Sequence, residues 1–348
     1  MSERNFCTIA EASGGNWVME LAGMKLSLEE IGVPIMPGSE PRCGLIAPED
    51  RIAYSAAPLR QPFRWPGGAQ IALWVAPNIE HYEYLPQKIR VRDPWPRVPH
   101  PDILGYGLRD YGNRVGVWRL MELFDRLGLR CTVSLSMAVL DMYPDIAEAM
   151  LTRRYELMSH GLYNTRYHWN ITEDEERTAI QECQEIHQRH VGSVLPGWFS
   201  PAASNTWNTP DLVAEAGIGY LCDLYHDDQP TPVRVRSGEL FSLPYSMEIN
   251  DSIAWRRGQE AAGFARKICD EFDTLYAEGA LHGKVMNIAV HPFIMGQPHR
   301  IEHLEKALQY VLGHSGVWCA TGSEIIAWYR QQQTSYHAPT PLASRERT

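Results

Sequence analysis

No CxxC pair occurs in this chain, and its seven cysteines, Cys7, Cys43, Cys131, Cys183, Cys222, Cys269 and Cys319, are an odd number at wide spacings. A disulfide framework and a thiolate zinc site are thereby disfavoured, and most of these thiols are expected to be buried and inert. Basic charge is also short, with 32 Lys and Arg against 42 Asp and Glu, a formal net charge of -10. No nucleic-acid partner is expected, because such a partner needs a basic face to displace counterions. No apolar run approaches the roughly 18 residues of a membrane span, so no membrane partner is expected either. The first residues, MSERNFCTIAEASGG, lack the basic-then-apolar order of a secretory leader, and the expectation is a soluble, cytoplasmic protein. Internal repeats and low-complexity tracts are absent. What is present is an ordinary globular balance, 44% hydrophobic and 21% charged, with eleven Trp and sixteen Tyr, residues that serve both cores and pockets.

Residues 1–60 read as an N-terminal extension, broken by Val33-Pro34-Ile35-Met36-Pro37-Gly38 and Pro41-Arg42-Cys43-Gly44. One short helix is expected there, from Leu26 to Ile31 with Ser27 as cap. Residues 61–335 read as one catalytic barrel and residues 336–348 as a tail. Ile71 to Ala76 is a continuous apolar run, expected to be a strand buried on both faces. Val117, Leu120, Met121, Phe124 and Leu127 recur at helical spacing, and Gly128 stops that helix. Strands are expected at Cys131 to Leu135, Tyr155 to Ser159, Leu195 to Phe199, Gly219 to Asp223, Lys284 to Val290 and Val317 to Ala320. Helices are expected at Pro144 to Arg153, from the capping box Thr172-x-x-Glu175 to near His190, from Thr209 to Gly217, about Gln259 to Ala277, Ile301 to Leu312 and from Ser323. About seven strand–helix units in unbroken succession call for parallel strands with helical crossovers, closed into a distorted (β/α)7-type barrel of the α/β class. Chemistry in such a barrel sits just after the strands.

The strand ends supply a polar set: Asn78, Glu80, His81 and Glu83; Ser159, His160 and Asn164; Ser200, Pro201, Ser204 and Asn205; Asp223, Asp227 and Asp228; and His291-Pro292. A glutamate and two histidines at one rim make a hydrolytic constellation, although singly each has an ordinary structural use as a cap or turn residue. Asp227-Asp228 is expected to shape a loop. His168, His187, His190, His299 and His314 lie in polar contexts and are expected at the surface.

The order Asn78-Ile79-Glu80, His160-Gly161, Trp198-Phe199-Ser200-Pro201, Leu243 to Asp251 and His291-Pro292 resembles the polysaccharide deacetylase superfamily, the NodB-homology or carbohydrate esterase 4 fold. The resemblance spans about residues 60–332 and is nearest to the branch of metal-independent allantoinases and cyclic-imide hydrolases. Arg109 to Arg119 and His291 to Pro298 are similar to segments of that branch. The sugar-deacetylating branch carries an Asp-Asp or Asp-x-Asp motif, one Asp a base and one a metal ligand, and two ligand histidines in H-x-x-x-H. The matching positions here are Asn78, Glu80, His160 and Asn164. An amide cannot take a proton and is a poor ligand for a zinc-like ion, so the resemblance implies either a metal-free site, with no cofactor expected, or a divalent ion such as zinc completed by a further ligand. Glu80 and His160 are the weak ligand pair if a divalent ion is bound after all.

Without a metal, amide hydrolysis needs a base, oxyanion donors and an acid for the leaving nitrogen. Glu80 is expected as base, oriented by His160, and His291 as acid or oxyanion partner. Asn78, Asn164 and Ser200 are expected to bind substrate polar groups, and Trp198, Phe199 and Tyr245 to pack against its faces. Three readings stay open. The favoured one is ring opening of a small cyclic amide, imide or ureide, such as an allantoin-like, hydantoin-like or imide ring. The others are a metal-dependent N-deacetylase or deformylase of a carbohydrate or small amide, and a non-catalytic binding protein on the same barrel. The expected partners are a small-molecule substrate and further copies of the chain, as a dimer or tetramer.

Overall fold

The computed structural model describes residues 8–12, 16–21, 24–27, 51–86 and 101–335. Three short strands, β1 (Thr8–Ala12), β2 (Asn16–Leu21) and β3 (Met24–Ser27), pair in antiparallel order as a small unit of their own. The helix expected from Leu26 is corrected at its start, because Leu26 and Ser27 pair with Met19 and Val18 in β3; residues 28–31 and the 336–348 tail lie outside the described residues.

The second unit is a curled half-barrel, with nine strands among the described residues, wrapped by helices, the NodB-like α/β fold that the sequence leads one to expect. Its strands are β4 (Ile71–Ile79), β5 (Thr132–Leu135), β6 (Glu156–Ser159), β7 (Gly197–Trp198), β8 (Tyr220–Leu221), β9 (Thr231–Val233), β10 (Leu240–Ser242), β11 (Lys284–Val290) and β12 (Val317–Cys319). The order is β11-β4-β5-β6-β7-β8-β10-β9, with β12 also on β4. All pairs are parallel except β9 with β10. Helices α1 (Ile103–Tyr111), α2 (Val117–Leu127), α3 (Ala138–Met142), α4 (Pro144–Thr152), α5 (Glu173–Val191), α6 (Thr209–Glu215), α7 (Asp251–Arg256), α8 (Ala261–Glu278), α9 (Ile301–Leu312) and α10 (Gly322–Ser335) connect and cover them. Between α1 and α2 the chain makes one π-helical turn, Gly112–Gly116. Residues 51–60, read from sequence as extension, grip this unit: Arg51 pairs with the fully buried Asp211 at 2.6 Å, and Arg60 with Asp227 at 2.5 Å.

Strand parity sorts the core. Successive side chains of a strand point to opposite faces. In β4, Ile71, Leu73 and Val75 join the apolar cluster under the helices, while Ala72, Trp74 and Ala76 join the cluster inside the barrel. Asn78 and Glu80 continue the inner series at the strand's C-terminal end. β6 sends Met158 inward, and His160 follows; β11 sends Val285 and Ala289 inward, and His291 follows. Because these strands are parallel, all three series emerge at the same rim.

A candidate active site at the strand C-termini

Glu80, His160 and His291 line one cavity of about 80 Å³, together with Asn78, Asn164, Phe199 and Tyr245. The Nε2 atoms of His160 and His291 lie 3.4 and 3.7 Å from Glu80 Oε1. Asn164 Nδ2 donates to Oε1 at 2.5 Å, and the Tyr82 hydroxyl donates to Oε2 at 2.5 Å. Tyr82 is braced by the Arg109 guanidinium stacked 4.4 Å over its ring. Burial alone would push the Glu80 carboxyl up; the charge on His291 and the hydrogen bonds from both imidazoles overcome this and hold it well below the ordinary range.

His160 is oriented from behind. Its Nδ1 lies 3.1 Å from the Phe199 carbonyl, which can only accept, so Nδ1 carries the hydrogen and Nε2 faces Glu80. The Phe199 ring stacks on the imidazole at 4.5 Å. Gly161 has φ 72° and presses on Pro201, so a side chain there would be strained and obstructed.

His291 is held by Asp251, whose carboxylate accepts the His291 backbone N–H at 2.8 Å and meets Nδ1 at 2.6 Å. Burial lowers the imidazole pKa, but the charges of Asp251 and Glu80 outweigh it and raise it to about 10. At neutral pH the ring is therefore an imidazolium between two carboxylates. Asp251 stands within the stretch that carries the family resemblance, yet its sequence position alone gave it no role. Tyr82 carried no signal beyond following Glu80 by two residues.

The other expected binding residues divide. Phe199 and Tyr245 form the wall, rings 4.6 Å apart, and the Tyr245 hydroxyl meets both atoms of the Asn78 amide at 3.0 and 3.2 Å. Asn78 also donates to the Ala76 carbonyl, and Asn164 to Glu80, so both amides are already engaged in holding the site. Trp198 and Ser200 do not line the cavity. Parity on β7 turns Phe199 inward and Trp198 outward into the helical layer, where it is wholly buried and its Nε1 donates to Ser200 Oγ. Ser200 in turn gives its N–H and hydroxyl to Asp223, both at 3.0 Å. Burial raises Asp223 to about 7 against those bonds. Ala202 and Ala203, with φ 51° and 57°, line the cavity in left-handed backbone, a strain of the kind functional loops store.

Two histidines expected at the surface are buried. His168 Nδ1 faces Glu176 at 3.4 Å, and His187 Nδ1 donates to the Ser193 carbonyl at 2.8 Å. His81, which follows Glu80, turns from the cavity to the Tyr143 hydroxyl at 2.9 Å. Asp227 caps Gln229 N–H at 3.0 Å, as a loop-shaping residue does. Among the described residues no group of three or more His, Cys, Asp and Glu side chains is placed to hold a metal ion. The donor chemistry points the same way: the Glu80 carboxylate already accepts the N–H of Asn164 and the O–H of Tyr82, hydrogens that suit an anion or a polarised water rather than a cation. The residues present do not fit a resident divalent ion. Among the described residues no helix is long and apolar enough to cross a membrane.

No protein-family model matches the chain. A Schizosaccharomyces pombe protein named "Putative polysaccharide deacetylase" is 29% identical over 243 residues, 63% of this chain and 74% of that one. The structure of a "probable Polysaccharide deacetylase" from Pseudomonas aeruginosa PAO1 superposes with TM-score 0.67 at 29% identity, covering 77% of this chain and 93% of the other. That of the allantoinase PuuE superposes with TM-score 0.72 at 26% identity, covering 82% and 98%. By sequence and by structure the chain is similar to proteins named as polysaccharide deacetylases, and an allantoinase is among its structural neighbours.

Proposed function

We propose that this chain opens a small cyclic amide, imide or ureide by a water that Glu80 activates, without a resident metal. The broader class, a hydrolase of carbon–nitrogen bonds, rests on the homology to deacetylases and on the allantoinase neighbour. The observation that carries the narrower reading is the Asp251–His291–Glu80 series: it supplies a carboxylate and an imidazolium side by side where a metal-binding relative needs ligands.

Glu80 takes a proton from water as the water oxygen bonds to the ring carbonyl carbon, and the carbonyl electrons move onto oxygen. The His291 charge stabilises that oxyanion. As the C–N bond breaks, the nitrogen takes the electron pair and a proton from His291 Nε2. The Glu80 proton then returns to His291 across 3.7 Å, and one water has been consumed. A low-pKa carboxylate is a weak base, so most of the barrier reduction falls to electrostatic stabilisation and positioning. Phe199 and Tyr245 offer a planar ring its faces. A dimer or tetramer in the cytoplasm remains part of the proposal.

The test is a panel of allantoin, hydantoin, succinimide, maleimide, phthalimide, dihydrouracil and an N-acetylglucosamine oligomer, with and without chelator. Ring opening that survives chelation is expected. Activity confined to the sugar, lost on chelation and restored by zinc or cobalt, would overturn the reading in favour of a metal-dependent deacetylase.

A further inference from the structure

Strands β7 and β8 end at Trp198 and Leu221, and just beyond them a side chain takes over from the ladder. Cys222 N–H still donates to the Trp198 carbonyl at 2.9 Å, and Phe199 N–H to the Ser159 carbonyl at 2.8 Å. The next N–H along, that of Ser200, goes to the Asp223 carboxylate at 3.0 Å. Asp223 holds the same residue a second time by accepting its hydroxyl at 3.0 Å, and Trp198 Nε1 donates to that hydroxyl at 3.1 Å. Pro201 favours extended backbone at Ser200, which has φ -63° and ψ 138°, and Ala203 N–H closes on the Ser200 carbonyl at 2.9 Å. Asp223 is buried and does not line the reaction cavity.

The N–H that Asp223 takes belongs to the same peptide unit as the carbonyl that orients His160. That unit, the Phe199 C=O with the Ser200 N–H, is planar, so its carbonyl cannot turn without its N–H. On one edge it accepts His160 Nδ1–H at 3.1 Å; on the other it donates to the Asp223 carboxylate at 3.0 Å. A bond to a carboxylate is roughly twice as strong as a neutral one, and hydrogen bonds in series polarise one another. The Asp223 charge therefore both fixes the plate and makes its carbonyl a better acceptor for the imidazole.

We infer that Asp223 is a positioning residue for His160 and acts through the Phe199–Ser200 peptide, whose carbonyl keeps the hydrogen on Nδ1 and Nε2 turned to Glu80. Its effect on turnover rests on the hydrolytic reading above; its effect on the imidazole rests on the geometry alone.

The experiment labels histidine with ¹⁵N and follows the His160 Nδ1–H, assigned by its loss in His160→Gln. It is run at about pH 8, above the value of about 7 to which burial raises the Asp223 carboxyl. In the native protein this proton and the Ser200 amide are both expected to be protected from solvent exchange, because one turn of the peptide exposes both. Asp223→Asn keeps the shape and removes the charge, and in it the Nδ1–H is expected to exchange at least about tenfold faster in a chain that stays folded. Hydantoin opening is read alongside: kcat is expected to fall at least about tenfold with KM within about threefold, as for a group that orients a catalytic side chain without touching substrate. A purely structural Asp223 would lower the denaturant midpoint and leave the Nδ1–H exchange as in the native protein, and that result overturns the inference. So does a native protein whose Ser200 amide is protected while the His160 Nδ1–H is not, a comparison that needs no variant to fold. If the native protein opens no ring, the cyclic-amide reading fails, and the exchange rates still decide the role of Asp223.

Discussion

Replacing Asp251 with Asn isolates the group that keeps His291 protonated. The ring stands at about 10 against an ordinary 6.5, a rise of roughly 3.5 pH units, or about 5 kcal/mol in favour of the imidazolium. Asp251 touches the ring at 2.6 Å, whereas Glu80 lies at 3.7 Å. A charge-assisted hydrogen bond contributes about 1.5–3 kcal/mol, so removing the Asp251 charge is expected to lower the imidazole by one to two pH units, to about 8 or 9. The alkaline limb of kcat/KM follows it down, because the proton given to the leaving nitrogen is then lost earlier. Stability shifts with a defined sign. A group raised on folding stabilises fully below its unfolded pKa of about 6.5, and that contribution drains away as pH climbs to about 10. The native protein therefore loses stability between those values, and Asp251→Asn loses less over the same interval. The measurements are a pH–rate profile, an NMR titration of His291 and denaturant midpoints across that range. A folded variant whose alkaline limb coincides with the native one would refute the reasoning.

Glu80→Gln keeps size and hydrogen bonding but cannot accept a proton; kcat is expected to fall at least about 100-fold, with substrate affinity within a few-fold, as read by steady-state kinetics and calorimetry. A near-native kcat would move the base elsewhere. Trp198→Ala removes a wholly buried ring from the helical layer and is expected to cost about 3–5 kcal/mol of stability, read from the denaturant midpoint. A cost below about 1 kcal/mol would show that the ring does not pack as described.

The strands that the sequence made legible are those with long apolar runs and long pairing. Lys284–Val290 and the helix Ile301–Leu312 have the bounds expected, and β4 runs three residues beyond Ala76 because Pro77, Asn78 and Ile79 keep partners in β11 and β5. β7 and β8 shrink to two residues each, since the chain turns away into loops that carry Phe199 and Asp223. Parity was the signal left unused at the site. Counting from Gly197 separates an inward Phe199 from an outward Trp198, and counting from Tyr220 sends Asp223 outward to Ser200. His168 was hidden by its polar neighbours: Glu176, in the polar first turn of α5, is fully buried and takes hydroxyls from Thr206 and Thr209 at 2.5 Å, and the imidazole closes that network. Asp251 was beyond reach because its significance depends on a six-residue helix at the barrel mouth, a tertiary fact with no periodicity of its own.

The π-helical turn at Gly112–Gly116 works as a gauge block between Glu80 and His291. Asn113 holds the Glu80 carbonyl at 2.9 Å, while Gly116 lies so close to Pro292 that a Cβ would collide with its carbonyl. Arg119, just beyond, donates to the Gly296 carbonyl and pins the far side of the same loop. One widened turn thus sets the strand end bearing Glu80 and the loop bearing His291 against a common stop. Deleting a single residue there would restore α-helical winding and remove the widening that lets Asn113 reach the Glu80 carbonyl while Gly116 lies against Pro292. Chain length in this turn is therefore as tightly determined as the identities of Glu80 and His291, which it spaces.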